Sequence, residues 1–282
     1  MMTAQSIADH PDLRPLLRQQ ASSFLAVQQR APKAAAVFAT LQRYLLAQLA
    51  AAMAFESGSC SFLLTEFLER VQKYKLASRN TAHSFVKEML HYGLCQERQL
   101  PEDRRKKPIV LSPSAQQLLG TWVSIHLATL DGLDGGARGT WLSSQADNLA
   151  RLHPRIVARI LASKWTVNPE GVFALFTWMN DGGLAMDKLI SELDSEALAG
   201  DKVLTSIRTF EQLCAPLRIT RTHLARKMAD PLAAEHIGWT GRPGASALWV
   251  SHEFIGSYYR YQCDKLAHVE AAYEETRAAA LL

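Results

Sequence analysis

Two stretches of this chain concentrate hydrogen-bond donors at helical spacing. In the first, Ser78, Arg79, Asn80, Thr81, His83, Ser84 and Lys87 alternate with Ala82, Phe85, Val86, Met89 and Leu90. In the second, Thr220, Arg221, Thr222, His223, Arg226 and Lys227 alternate with Leu224, Met228 and Leu232, and Arg218 to Lys227 holds four positive side chains and no negative one. Wound into helices, both stretches bury an apolar stripe and turn the donors outward. The chemistry open to such a face is recognition. Arg can grip guanine O6/N7, Asn can pair with adenine N6/N7, and Ser or Thr can serve bases or phosphates. A further basic group, Arg104-Arg105-Lys106-Lys107 with Arg98 nearby, would meet phosphates or the adjacent minor groove, diluted by Glu97, Glu102 and Asp103. The matching stretch later in the chain offers Arg242 alone.

These donors need elements to hold them. A long helix is predicted over 33–55, rich in Ala, Leu and Gln, and an amphipathic one over 61–74. Lys73 to Ala77 break the pattern, Ser78 caps the donor-bearing helix, and Gly93 ends it. Leu94–Arg98 and Pro108–Ser112 read as the arms of a β-hairpin around the basic loop, followed by a helix from about Pro113 to Leu130. The second half is predicted as helices over 141–164, 169–180, 184–199 and 202–215, a break over 215–219 and a capped helix from Thr220. A hairpin follows, with Gly238, Gly241, Pro243 and Gly244 in its turn and Ala247–Val250 returning, then a long helix from Ser251 to Ala279.

The two series look like one unit written twice. His10-Pro11 with Leu13 and Leu17 is echoed 143 positions later by His153-Pro154 with Ile156 and Ile160. Leu64, Phe67, Val71 and Leu76 match Ile207, Phe210, Cys214 and Ile219 at the same shift, and Ser78-Arg79 matches Thr220-Arg221 one residue short of it. Asp131 to Gly139, near the midpoint, reads as a linker. The expected fold is mainly α with small β-hairpins (α+β), as two units over 1–135 and 136–282.

Helix, turn, capped helix and hairpin is the order of a winged helix-turn-helix. The segment from Leu76 to Leu94 resembles the recognition helix of winged-helix bacterial regulators, and the chain as a whole is similar to the MarR family, well over 33–130 and more weakly over 169–279. That family binds DNA as dimers joined through their terminal helices. The resemblance therefore implies a tandem winged helix-turn-helix pseudo-dimer in one chain, with two recognition helices in successive major grooves roughly 34–36 Å apart. It implies sequence-specific double-stranded DNA as partner and leaves room for a small-molecule effector. The single Arg242 in the second hairpin tip predicts unequal grip by the two halves and an asymmetric site.

Bulk properties agree but do not decide. Of 282 residues 48% are apolar and 21% charged, which excludes disorder, and a net charge of +4 announces no polyanion binder by itself. Cys60, Cys95, Cys214 and Cys263 are far apart without a C-x-x-C pair, so neither zinc nor a disulfide framework is indicated. No basic n-region, apolar leader or membrane span is visible, which predicts a cytoplasmic protein. G-x-S-x-G, P-loop and G-x-G-x-x-G motifs are absent, so no enzyme, cofactor or metal is expected, and His83 and His223 read as surface residues, not bases. Trp165, Phe173, Phe176 and Trp178 read as core aromatics. Two rivals remain at this stage: a plasmid-type replication initiator, and a protein-interaction scaffold that keeps the winged fold without DNA.

Overall fold

The computed structural model describes residues 1–31, 37–99, 107–177, 179–217, 220, 222, 224, 226 and 228–280. The chain is mainly helical with two small antiparallel sheets. Two helices, α1 (Ala4–Ala8) and α2 (Leu13–Arg30), lead into α3 (Leu41–Glu56). The helix expected over 33–55 starts anew at Thr40, whose Oγ1 accepts the Arg43 N–H at 3.3 Å; residues 33–36 lie outside the described residues. Then come β1 (Ser61–Phe62), α4 (Leu64–Lys73), α5 (Arg79–His91), β2 (Cys95–Glu97), β3 (Ile109–Leu111) and α6 (Pro113–Asp134). The helix predicted from residue 61 begins later, because Ser61 and Phe62 pair with Val110 and Ile109 as the edge of a β1-β3-β2 sheet.

The second half runs α7 (Arg138–Ser144), α8 (Asn148–Ala162), α9 (Lys164–Val167), α10 (Gly171–Thr177) and α11 (Gly182–Ser191). Next are β4 (Leu193–Ala199), β5 (Lys202–Thr205), α12 (Phe210–Cys214), a 3₁₀ turn (Ala215–Leu217), α13 (Ala229–Ala233), β6 (Ile237–Trp239), β7 (Leu248–Ser251) and α14 (His252–Ala279). The predicted helices over 184–199 and 202–215 are corrected here. Leu193 to Thr205 form a hairpin about Gly200, whose φ of 66° suits glycine, and Lys-Val-Leu-Thr alternates half-buried and buried residues as a strand should. The resulting sheet, β4-β5-β7-β6, has one strand more than the first. Gly238 is also a strand residue, not part of the turn: it pairs with Trp249, and a Cβ there would lie 2.3 Å from the indole.

The same hydrogen bonds recur in both halves. Leu94 N–H bonds to Met89 O (2.9 Å) as His236 N–H does to Pro231 O (3.0 Å), each behind a left-handed residue, Gly93 and Glu235. Ser112 N–H reaches Leu94 O and Ser251 N–H reaches His236 O, both at 2.9 Å. Ser112 and Ser251 then cap the long helices α6 and α14. The His-Pro echo is different: His10-Pro11 lies in the turn before α2, whereas Pro154 is inside α8.

Two apolar cores form, and each borrows from the other half. The first unites α3 to α6 with Leu152, Ile156, Val157 and Ile160 of α8 and with Cys263, Leu266, Val269 and Ala272 of α14. The second joins α10, α11 and the four-stranded sheet with Phe254, Tyr258 and Tyr261 of α14 and Ala21 of α2. Thus α2 packs on α11 while α8 packs on α3, a reciprocal exchange. Buried polar contacts pin it: Gln20 donates to Gln262 Oε1 (3.1 Å) and accepts from Thr129 Oγ1 (2.9 Å), and His153 Nε2–H donates to Gln48 Oε1 (2.7 Å).

The stretch read as a linker holds the densest polar knot. Arg138 donates to both carboxylate oxygens of Asp134 (2.8 and 2.7 Å), both of Glu270 (2.8 and 3.1 Å) and to Asp131 (3.1 Å). Arg138 and Glu270 are buried, so this tie between α7 and α14 excludes water. Among the described residues no helix is long and apolar enough to cross a membrane.

Two outcomes follow from these buried groups. Arg138→Met leaves the Glu270 carboxylate buried without its partner and should lower unfolding free energy by about 3–5 kcal/mol in urea titration. Burial pushes His153 down to about 3 from the ordinary 6.5, so between these values the unfolded chain binds a proton that the folded one does not. Stability therefore falls as pH drops below about 6.5, and His153→Gln should flatten that fall by up to about 1.4 kcal/mol per pH unit.

Candidate nucleic-acid interface

The first donor-bearing helix is α5, and its placement starts with the turn before it. Lys75 adopts φ 54°, and Leu76 N–H closes back on Val71 O at 3.1 Å, so α4 ends sharply. Gln42 of α3 donates through Nε2 to Leu76 O (2.9 Å), tying the turn to the core. Ser78 then caps α5: its Oγ accepts the Thr81 N–H at 3.1 Å.

Ala82, Phe85, Val86 and Met89 are buried, which fixes the rotation of α5. The opposite face carries Arg79, Asn80, Thr81, Ser84 and Lys87, all exposed with Ser78, and His83 half-buried beside them. The acid of this helix, Glu88, forms an ion pair with Arg43 of α3, whose guanidinium also lies 5.9 Å from the Phe85 ring centre and donates through Nε to Val37 O. The ion pair with Arg43 neutralises the one carboxylate of α5, while its exposed side chains Arg79, Asn80, Thr81, Ser84 and Lys87 are hydrogen-bond donors. Sequence reasoning missed Gln42 and Arg43 as orienting residues; their partners lie 34 and 45 positions away, beyond any local pattern.

Beside α5, the β2–β3 hairpin begins where Arg98 N–H bonds to Pro108 O at 2.9 Å. Arg98 and Lys107 are exposed, and Lys107 Nζ stands 3.8 Å from Glu97, an exposed pair worth little. Arg104, Arg105 and Lys106 lie outside the described residues. Tyr92, at the end of α5, is exposed and packs against His91.

In the second half, Leu224 N–H bonds to Thr220 O (2.9 Å) and Met228 N–H to Leu224 O (2.8 Å), two i to i+4 bonds of the kind a helix makes. Leu224 and Met228 are buried, and Thr220, Thr222 and Arg226 are exposed. Arg221, His223 and Lys227 lie outside the described residues. Arg242 is exposed in the β6–β7 turn, which is shorter: Thr240 N–H to Ala247 O closes it, against Arg98 to Pro108 in the first half. Of the core aromatics, Phe173 and Phe176 are buried as expected, Trp165 is half-buried, and Trp178 lies outside the described residues.

Comparison with protein-family models, with characterised proteins and with solved structures returns no match for this chain.

Ser78→Ala removes the cap hydroxyl without touching the core, and should cost about 1 kcal/mol in urea-induced unfolding followed by circular dichroism.

Proposed function

We propose that the protein is a sequence-specific double-stranded DNA-binding regulator, built as a MarR-like tandem winged helix-turn-helix with two recognition helices in one chain. The observation that carries this reading is the outer face of α5: Arg79, Asn80, Thr81, Ser84 and Lys87 exposed together, with the charge of Glu88 paired to Arg43. A capped helix with donors on its exposed face matches what the major groove requires, since base edges there offer acceptors to Arg and paired donor-acceptor sets to Asn. The β2–β3 hairpin at its side supplies Arg98 and Lys107 for phosphates.

Recurrence of the same hydrogen bonds in the second half supports a second reading helix from Thr220, and the longer first hairpin supports unequal half-sites. Joining both units covalently makes site occupancy independent of dimerisation.

Selection of bound duplexes from a random pool should return one asymmetric site with half-sites about one helical turn apart. On that duplex, Arg79→Ala should weaken binding about ten- to hundred-fold and relax preference at one base pair, while Lys107→Ala should weaken all sequences alike and reduce the salt slope by about one. If an Arg79→Ala/Asn80→Ala double variant folds normally and keeps duplex affinity and salt slope, the protein-scaffold reading replaces this one.

A further inference from the structure

The helices α3 and α11 hold the same place in the two halves: each leads into a sheet, then a further helix, then the donor-bearing stretch. Their N-caps, Thr40 and Asp181, are 141 positions apart in sequence. In space the two helix starts meet, because Asp181 N–H donates to Ala39 O at 2.7 Å.

Asp181 is fixed for this contact from its own side. Its φ of 62° is left-handed, a conformation that L residues rarely hold and that Asp and Asn tolerate better than most. Behind it, Gly182 packs so closely that a Cβ would lie 1.7 Å from Phe176 O, and its N–H bonds to Met179 O at 3.1 Å. The start of α11 is thereby clamped to the end of α10, and the second half sets the direction of the Asp181 N–H.

On the other side the contact runs on to α5. Arg43, in the first turn of α3, donates through Nε to Val37 O at 2.9 Å and pairs with Glu88 of α5, and its guanidinium lies 5.9 Å from the Phe85 ring centre. One side chain therefore fastens the 37–40 segment, held at Ala39 by the second half, to the helix that carries Arg79 and Asn80. Val37 is fully buried in the first core, so the segment cannot shift without displacing packed side chains. The residue 141 positions after Arg43 is Leu184, which has no charge to pair, so this position carries such a link in the first half only.

We propose that Asp181 is a positioning residue for α5: its N–H lets the second half hold the 37–40 segment, and Arg43 passes that hold to Glu88 and Phe85. A change at the head of α11 thus reaches the donor-bearing helix of the other half. Its consequence for DNA rests on the reading above, whereas the coupling itself is measured on the protein alone, so the two fail separately.

Amide hydrogen exchange of the full chain at pH 7.5, followed by mass spectrometry, tests the coupling with no DNA present. Asp181→Pro removes the N–H and forbids a positive φ, whereas Asp181→Gly keeps both. The Pro variant should speed exchange over 82–92 of α5 about five-fold and leave 152–160 of α8 as in the unaltered chain, while the Gly variant should change neither. In an Arg43→Met background Asp181→Pro should add less than about two-fold over 82–92, because residues that act through one another are not additive. Coupling is reciprocal, so Arg43→Met alone should also speed exchange over 181–186, at the head of α11. That measurement decides if Asp181→Pro does not fold. The proposal is overturned by unchanged α5 exchange in Asp181→Pro, by a rise that 152–160 or the Gly variant shares, by additive effects of the two substitutions, or by unchanged exchange over 181–186 in Arg43→Met.

Discussion

Reciprocal exchange of helices is the constraint on which the molecule rests. The apolar surface of α3 is covered by α8 from the other half of the sequence, and that of α11 by α2. Burial of apolar area is the main favourable term in folding, so neither core is complete without chain contributed from the far side of the midpoint. The element that carries the exposed donors of the first half, α5, stands outside this exchange. It is held by shorter-range ties within its own half, Gln42 to Leu76 and Arg43 to Glu88.

Polar groups within the crossed centre serve register more than net stability. Replacing a satisfied buried ion pair by apolar residues is often neutral, whereas removing one partner is costly. The Arg138 knot, the Gln20–Gln262–Thr129 chain and the His153–Gln48 bond each join helices distant in sequence, and each can be satisfied in one alignment of those helices. Apolar stripes alone tolerate sliding by a turn, and these contacts remove that freedom.

Much of the first half was legible in its residues. Ser78 as cap, the buried stripe of Ala82, Phe85, Val86 and Met89, Gly93 as the stop and the hairpin after it all stand where local chemistry put them, because each depends on neighbours within a few positions. The second half was less legible. Ser195-Glu196-Ala197-Leu198-Ala199 has good helix formers, yet the segment is a strand, since pairing with Lys202–Thr205 against β7 outweighs intrinsic preference; Gly200-Asp201 was the available cue. The cap after α13 is Glu235 in place of glycine, so the signal that ended α5 is missing there. Asp131 to Gly139 read as a linker because glycine and aspartate favour turns, whereas the partner that orders it, Glu270, is 132 positions from Arg138.

The longest helix adds an ordering in time. α14 contributes Phe254, Tyr258 and Tyr261 to the second core, then continues to seat Cys263, Leu266, Val269 and Ala272 in the first. A ribosome makes α3 to α6 before α14 exists, so the first core waits, partly open, for that helix to emerge. Contacts of such high sequence separation slow folding and leave apolar surface open to chaperones in the interval. The first core is therefore closed by a helix that is made after the half it completes.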